Sequence, residues 1–218
     1  MKKIWIVAIA LIVGGFLGLY IGYARSPTTS ENSSASISSS SPASAELSAN
    51  MRQLGENQIT WTRMYLIDVA SANGFADADL NRLMKNAKDI GNVFQPYYGN
   101  TTRDTVTKLL KQNISDMVAF AKATKAQDTH AQSAARTDLD NNANQIADFL
   151  AKTNSNLTDS DMRFMMQSYL NTTRQEALDI FSNKYQPSVA DYDKVHQQML
   201  QIADTLSIGI RQQFPERF

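Results

Sequence analysis

Residues 56–70 read ENQITWTRMYLIDVA, and their spacing decides the fold. Ile59, Trp61, Met64, Tyr65, Leu66, Ile67 and Val69 are apolar almost all the way round a helix, with Gln58, Arg63 and Asp68 threaded among them. A helix with so little polar face has to be enclosed by other elements. Working outward, the chain beyond residue 50 shows no sustained period-two alternation and few glycines, while apolar residues recur at spacings of three and four. The expectation is an all-α domain of about six antiparallel helices forming a four-helix-bundle-like core.

The breaks place those helices. The first spans about 45–72 and stops at Asn73 and Gly74, residues suited to a helix C-terminus. A second runs over about 77–94, until QPYYGN supplies a proline and a glycine. A third follows over about 101–125 and a fourth over about 129–152. TNSNLTDSD then leads into a fifth at about 158–185, opened by Thr158 as N-cap with acids in its first turn. QPS separates it from a sixth at about 189–214. There is also an internal echo: WTRMYLIDV from 61 and TTRQEALDI from 172 share Thr-Arg followed five residues later by Asp, at an offset of 111. It makes the first and fifth helices candidates for related halves, with Gln58 matching Tyr169 and Asp68 matching Asp179.

The N-terminal part is organised differently. After MKK, residues 4–23 form an uncharged run of 20, long enough at ~1.5 Å per residue to span a ~30 Å hydrocarbon core. Trp5, Tyr20 and Tyr23 suit the interfaces, and Lys2 and Lys3 belong on the cytoplasmic side. A cleaved leader is the competing reading, because Gly22 and Ala24 are small, but the apolar run exceeds the usual 7 to 15 residues of such leaders. Residues 1–25 are therefore expected to anchor the chain in a lipid bilayer through 4–23, single-pass, with the C-terminal domain outside the cytoplasm. The Gly14, Gly18 and Gly22 stripe offers such helices a close approach as a homodimer. Residues 26–50, rich in Ser, Thr, Ala and Asn, hold too little apolar surface to offset ordering entropy and are expected to be a disordered tether. The helical domain is then 51–218.

Composition excludes several function classes. Lys plus Arg and Asp plus Glu both number 21, and no basic stripe gathers on the helices, so nucleic acid is not an expected partner. The absence of cysteine removes disulfides, thiol chemistry and thiolate metal sites. Only His130 and His196 could serve a triad or a multi-histidine site. No Glu-x-x-His pair of the kind used by di-iron bundles is present, and Met162, Met165 and Met166 fit core spacing better than soft-metal ligation. No catalytic residue, metal ligand set or cofactor is expected.

What remains is a set of polar side chains on apolar seams. On the first helix, positions 51, 54, 58, 61, 65 and 68 make one seam, which sets Gln58 and Asp68 beside Trp61. Asn113 falls between Leu109 or Leu110 and Met117, while Asn142, Tyr169 and Glu176 lie on the inward seams of later helices. A buried polar group left unpaired costs ~1 to 3 kcal/mol, so such groups face one another or a cavity. Two readings follow: a network that fixes helix register, or a small polar pocket between helices lined by Gln58, Trp61, Asn113, Asn142, Tyr169 and Glu176.

The ordered set WTRMYLIDVA, RLMKNAKDIGNVFQPYYG, LLKQNI, NANQIADFL and ADTLSIGIRQQFPERF resembles an uncharacterised family of small helical bacterial and archaeal proteins, over nearly the whole folded domain. That resemblance implies a compact helical bundle, often behind an N-terminal hydrophobic segment, and no established reaction. It further implies histidines three residues before the Trp, within the LLKQ helix and shortly before the Thr of the fifth helix, positions suited to metal or haem. Here Gln58, Asn113 and Tyr169 hold those places, so no metal site and no catalytic residue carries over. The functional expectation is a membrane-tethered, non-enzymatic module that binds a small ligand or protein partner. The alternative is a metal- or haem-binding bundle whose histidine site has degenerated.

Overall fold

The computed structural model describes residues 41–218, and among them all regular structure is helical. Helix α1 spans Pro42–Ser71. Ser41 caps it by accepting a hydrogen bond from the Ser44 amide at 3.1 Å, and Pro42 fits the first turn because its missing N–H would have had no intrahelical partner. Its early turns pack, with Leu47 only 5% exposed. Residues 42–50, expected to belong to a disordered tether, are instead the opening turns of α1, because Leu47 and Met51 repeat at helical spacing behind the Ser-rich run; residues 26–40 of that expected tether lie outside the described residues. The expected anchor at 4–23 and its glycine stripe lie outside the described residues. Among the described residues no helix is long and apolar enough to cross a membrane.

Helix α2 runs Ala76–Lys125, interrupted only at Gly99, whose φ of 79° and ψ of −177° are essentially restricted to glycine. At this one residue the chain reverses. A Cβ on Gly91 would lie 2.1 Å from Thr107 Oγ1 and 2.8 Å from the Arg103 carbonyl, whereas residues 91 and 107 of a straight helix would be ~24 Å apart. The arms 76–98 and 100–125 thus lie side by side, and Gly91 lets them touch. Five α-helices stand where about six were expected, because Pro96 stays within the first arm and only Gly99 leaves helical geometry.

Helix α3, Thr129–Thr153, is capped by Asp128, and α4, Asp159–Phe181, by Thr158 with Asp159 and Asp161 in its first turn. Helix α4 ends four residues earlier than the sequence suggested. Asn183 takes the left-handed conformation that turns the chain, and α5, Tyr185–Gln213, accepts Pro187 in its first turn. The proline opens a helix here rather than breaking one. A 3-10 turn, Pro215–Arg217, then sets Phe214 and Phe218 against Tyr97 and Tyr98, with ring centroids 5.1 to 5.8 Å apart.

Side-chain bonds reveal the packing order. Arg52 meets Asp204 and Arg63 meets Ser188, which makes α1 and α5 antiparallel. Asn113 with Asn142, and Thr124 with Gln132, do the same for the second arm of α2 and α3. Arg174 with Asp140 and Gln167 with Asn144 join α3 and α4. Since α1 also packs on the first arm of α2 and α4 on α5, the helices close a ring, with α1 touching α4 across it. Ala87, Ala121, Ala143, Ala147 and Ala177 are fully buried at the contacts, and these small side chains allow the helices to come close.

Candidate functional site

The interior of the ring is not filled. A cavity of about 90 Å³ lies among all five helices. Its walls are aliphatic and aromatic, including Phe94, Val106, Ile146, Phe149 and Ile202, and the polar side chains lining it are Gln58 from α1, Asn113 from α2 and Tyr169 from α4. The same three also line a smaller space of about 10 Å³ on the side of Thr62 and Thr173, so they form a polar waist across the bundle. Gly55 keeps one wall thin: a Cβ there would sit 2.9 Å from the Met199 Cγ.

Two amide relays orient the waist. Asn86, fully buried, donates from its Nδ2 both to the Leu54 carbonyl at 3.0 Å and to Gln58 Oε1 at 3.2 Å. Across the cavity Asn142 donates to the Leu109 carbonyl at 3.1 Å and accepts from Asn113 Nδ2 at 3.0 Å. A backbone carbonyl only accepts, so each relay has a fixed direction. Gln58 is left with its Nε2 donor and Asn113 with its Oδ1 acceptor. No hydrogen bond joins Gln58 to Asn113 or Tyr169 among the described residues. Burial raises the Tyr169 phenol above its ordinary range and the charge of Glu176 adds to this, against a hydrogen bond from Thr173, so Tyr169 stays a neutral hydroxyl.

The remaining sequence candidates lie elsewhere. Asn142 stands behind Asn113 as the relay just described. Trp61 lies outside the cavity and packs its ring on the Arg82 guanidinium, 5.6 Å away. Glu176, only 2% exposed, bonds to Arg63, which also donates to the Ser188 carbonyl at 3.0 Å. Burial pushes Glu176 up to about 7; Arg63 opposes the shift and the charge of Asp191 adds to it. His196 is at the surface, 3.4 Å from Glu56. Met162 and Met166 are core residues.

Sequence reading missed Asn86 and Asp79, both within the stretch DADLNRLMKNAKD, whose charges give it the pattern of a solvated amphipathic face. Asp79 is 4% exposed, and its Oδ2 finds no partner. Burial, reinforced by a hydrogen bond to Asp68 and by its charge, raises Asp79 to about 6. The available signal was spacing: Asp79, Leu83, Asn86, Ala87 and Ile90 step along one face at intervals of three and four. Asn73 donates to Asp68 from the connecting turn.

The site can hold a neutral guest by shape and hydrogen bonds. It offers no nucleophile paired with a base, and its polar atoms are two amides and a phenol. Among the described residues no group of three or more His, Cys, Asp or Glu side chains stands together to hold a metal ion. Neither does the site fit the groups that the resemblance implied. Neutral amides do not offset the charge of a divalent cation, and a haem exceeds a space of about 90 Å³, well under the ~300 Å³ at which drug-sized pockets begin. Comparisons with family profiles, with characterised proteins and with solved structures found no match to this chain.

Proposed function

We propose that this chain is a membrane-tethered, non-catalytic binding protein whose helical bundle, held outside the cytoplasm by residues 4–23, takes a small and mainly apolar ligand between its helices. The observation that carries the reading is the polar waist. Gln58 and Asn113 are each bonded on one side and free on the other, on apolar walls around about 90 Å³. Groups that served only to fix helix register would be expected to bond to each other, since an amide atom without a partner costs ~1 to 3 kcal/mol. A small number of placed polar groups in an otherwise apolar interhelical cavity is the usual composition of a ligand site in a bundle. The volume limits the guest: a cavity of ~150 Å³ holds benzene, so one of about 90 Å³ takes a body of roughly three or four heavy atoms.

Xenon tests whether the cavity accepts a guest. In the full chain in detergent, xenon is expected to give a saturable shift in its nuclear resonance, and Ala203→Leu, which adds bulk to the cavity wall, to abolish it with helicity unchanged. Xenon that fails to bind, or binds the filled variant equally well, contradicts the reading. The tether has its own measurement: the full chain should sediment with membranes after a high-salt wash, and a variant lacking residues 4–23 should not.

A further inference from the structure

The relays carry the account from the existence of a site to the chemistry of its ligand, an inference that rests on the binding reading above. Each relay begins at a backbone carbonyl inside a helix, Leu54 in α1 and Leu109 in α2. An amide nitrogen must face each of these carbonyls, since two oxygens cannot share a hydrogen bond without a proton. That constraint fixes the Asn86 and Asn142 amides, and it passes one step further. Asn86 directs its second N–H to Gln58, so Gln58 uses its oxygen and keeps its nitrogen free. Asn142 offers its oxygen to Asn113, so Asn113 uses its nitrogen and keeps its oxygen free.

Neither free atom is closed off. The buried side-chain atoms lacking partners among the described residues are Asp79 Oδ2, Arg82 Nη1, Asn86 Oδ1 and Gln198 Oε1, so Gln58 Nε2 and Asn113 Oδ1 both retain surface. Both residues line the cavity, together with the neutral hydroxyl of Tyr169. The cavity is thus polarised before anything binds: a donor on the α1 side, an acceptor on the α2 side, and no formal charge among its lining side chains.

We infer that the cavity selects a neutral ligand carrying a hydrogen-bond donor beside an acceptor, as a carboxamide or a hydroxyl does, on a small apolar body. An acceptor-only ligand such as a ketone satisfies Gln58 and leaves Asn113 unpaired. A carboxylate brings a charge into a site without a cation to meet it.

Three probes of one shape, small enough for the cavity, test this on the full chain in detergent: acetamide, acetone and acetate. The amide should bind the wild type at least tenfold more tightly than the carboxylate at neutral pH. Comparing variants cancels the different solvation of amide and ketone. The ratio of amide to ketone affinity should fall about tenfold in Asn113→Leu, the effect of losing one hydrogen bond. Asn142 is a positioning residue, so Asn142→Leu should lower that ratio while xenon still enters, and it serves if Asn113→Leu fails to fold. A ratio within twofold of the wild type in the folded variants overturns the inference, as does carboxylate binding equal to that of the amide. In either case xenon entry would leave the cavity standing as a site. Xenon excluded from the wild type overturns the binding reading and this inference together.

Discussion

Two helical hairpins of this protein follow one plan and treat their buried charges differently. The first is α1 with the leading arm of α2; the second is α4 with α5. Thr62 donates to the Gln58 carbonyl at 2.8 Å, and 111 residues later Thr173 donates to that of Tyr169 at 2.9 Å. Ala72 closes the first helix with φ of 56°, and Asn183, again 111 residues on, closes the other with φ of 58°. The aspartates just before these turns, Asp68 and Asp179, are both buried, and so are Asp79 and Asp191 at the start of the returning helices. In the second hairpin lysines serve them, with Lys184 3.9 Å from Asp179 and Lys194 2.8 Å from Asp191. In the first no salt bridge reaches Asp68 or Asp79 among the described residues, and an orphaned oxygen remains. A shared backbone plan thus leaves the ionic design free to diverge: one hairpin sets a lysine beside each of its buried acids, and the other does not.

The largest effect should come from the pair that ties the hairpins together. Arg63 of the first bonds to Glu176 of the second, and Arg63→Met leaves that carboxylate buried without its partner. Urea unfolding of the full chain should show a loss of about 3 kcal/mol at pH 8, the scale for breaking a buried pair. The loss should shrink at pH 5, where Glu176 without its arginine takes up a proton.

The next effect is the pH dependence of the wild type. Asp79 at about 6 and Glu176 at about 7 hold protons that the unfolded chain, titrating near 4, has already released. Their contribution is therefore complete below about pH 4 and is lost as pH rises through 6 and 7. Between pH 6 and pH 8 stability should drop by on the order of 2 kcal/mol, and Asp79→Asn should flatten the part centred near 6. A slope near pH 6 that persists unchanged in Asp79→Asn would contradict this assignment.

A smaller effect tests the close packing of the first hairpin's returning arm against the second arm of α2. Gly91→Ala sets a methyl against Thr107 and the Arg103 carbonyl and should cost about 1 to 2 kcal/mol. Thr107→Ala in the same chain should recover part of it, the backbone contact remaining.

How far the sequence carried is clear from individual residues. Helical spacing placed Gln58, Asn113 and Tyr169 on inward seams, and the structure brings all three to one cavity. Trp61 and Glu176 shared those seams and yet face other neighbours. At 100° per residue Trp61 points about 60° away from Gln58, and Glu176 is seven residues, ~10 Å, along the axis from Tyr169. A seam identifies a face, while a cavity occupies one level of it. Asn86 and Asp79 escaped notice because charges on both sides made their stretch read as solvated. The turns were misplaced for a local reason: proline is tolerated in a first turn, so Pro187 begins α5, and a single glycine at 99 reverses the chain without a loop. The relays depend on which carbonyl each amide meets across the bundle, which no periodicity encodes.

The central claim is that the bundle carries a ligand, and the most direct measurement is chemical. The full chain, purified in mild detergent from cells that produce it, can be extracted with organic solvent and the extract compared by mass spectrometry with that of Ala203→Leu purified in parallel. A small neutral compound bearing an amide or hydroxyl group, enriched with the wild type and missing from the filled variant, is the predicted result. Identical extracts from the two proteins would contradict it.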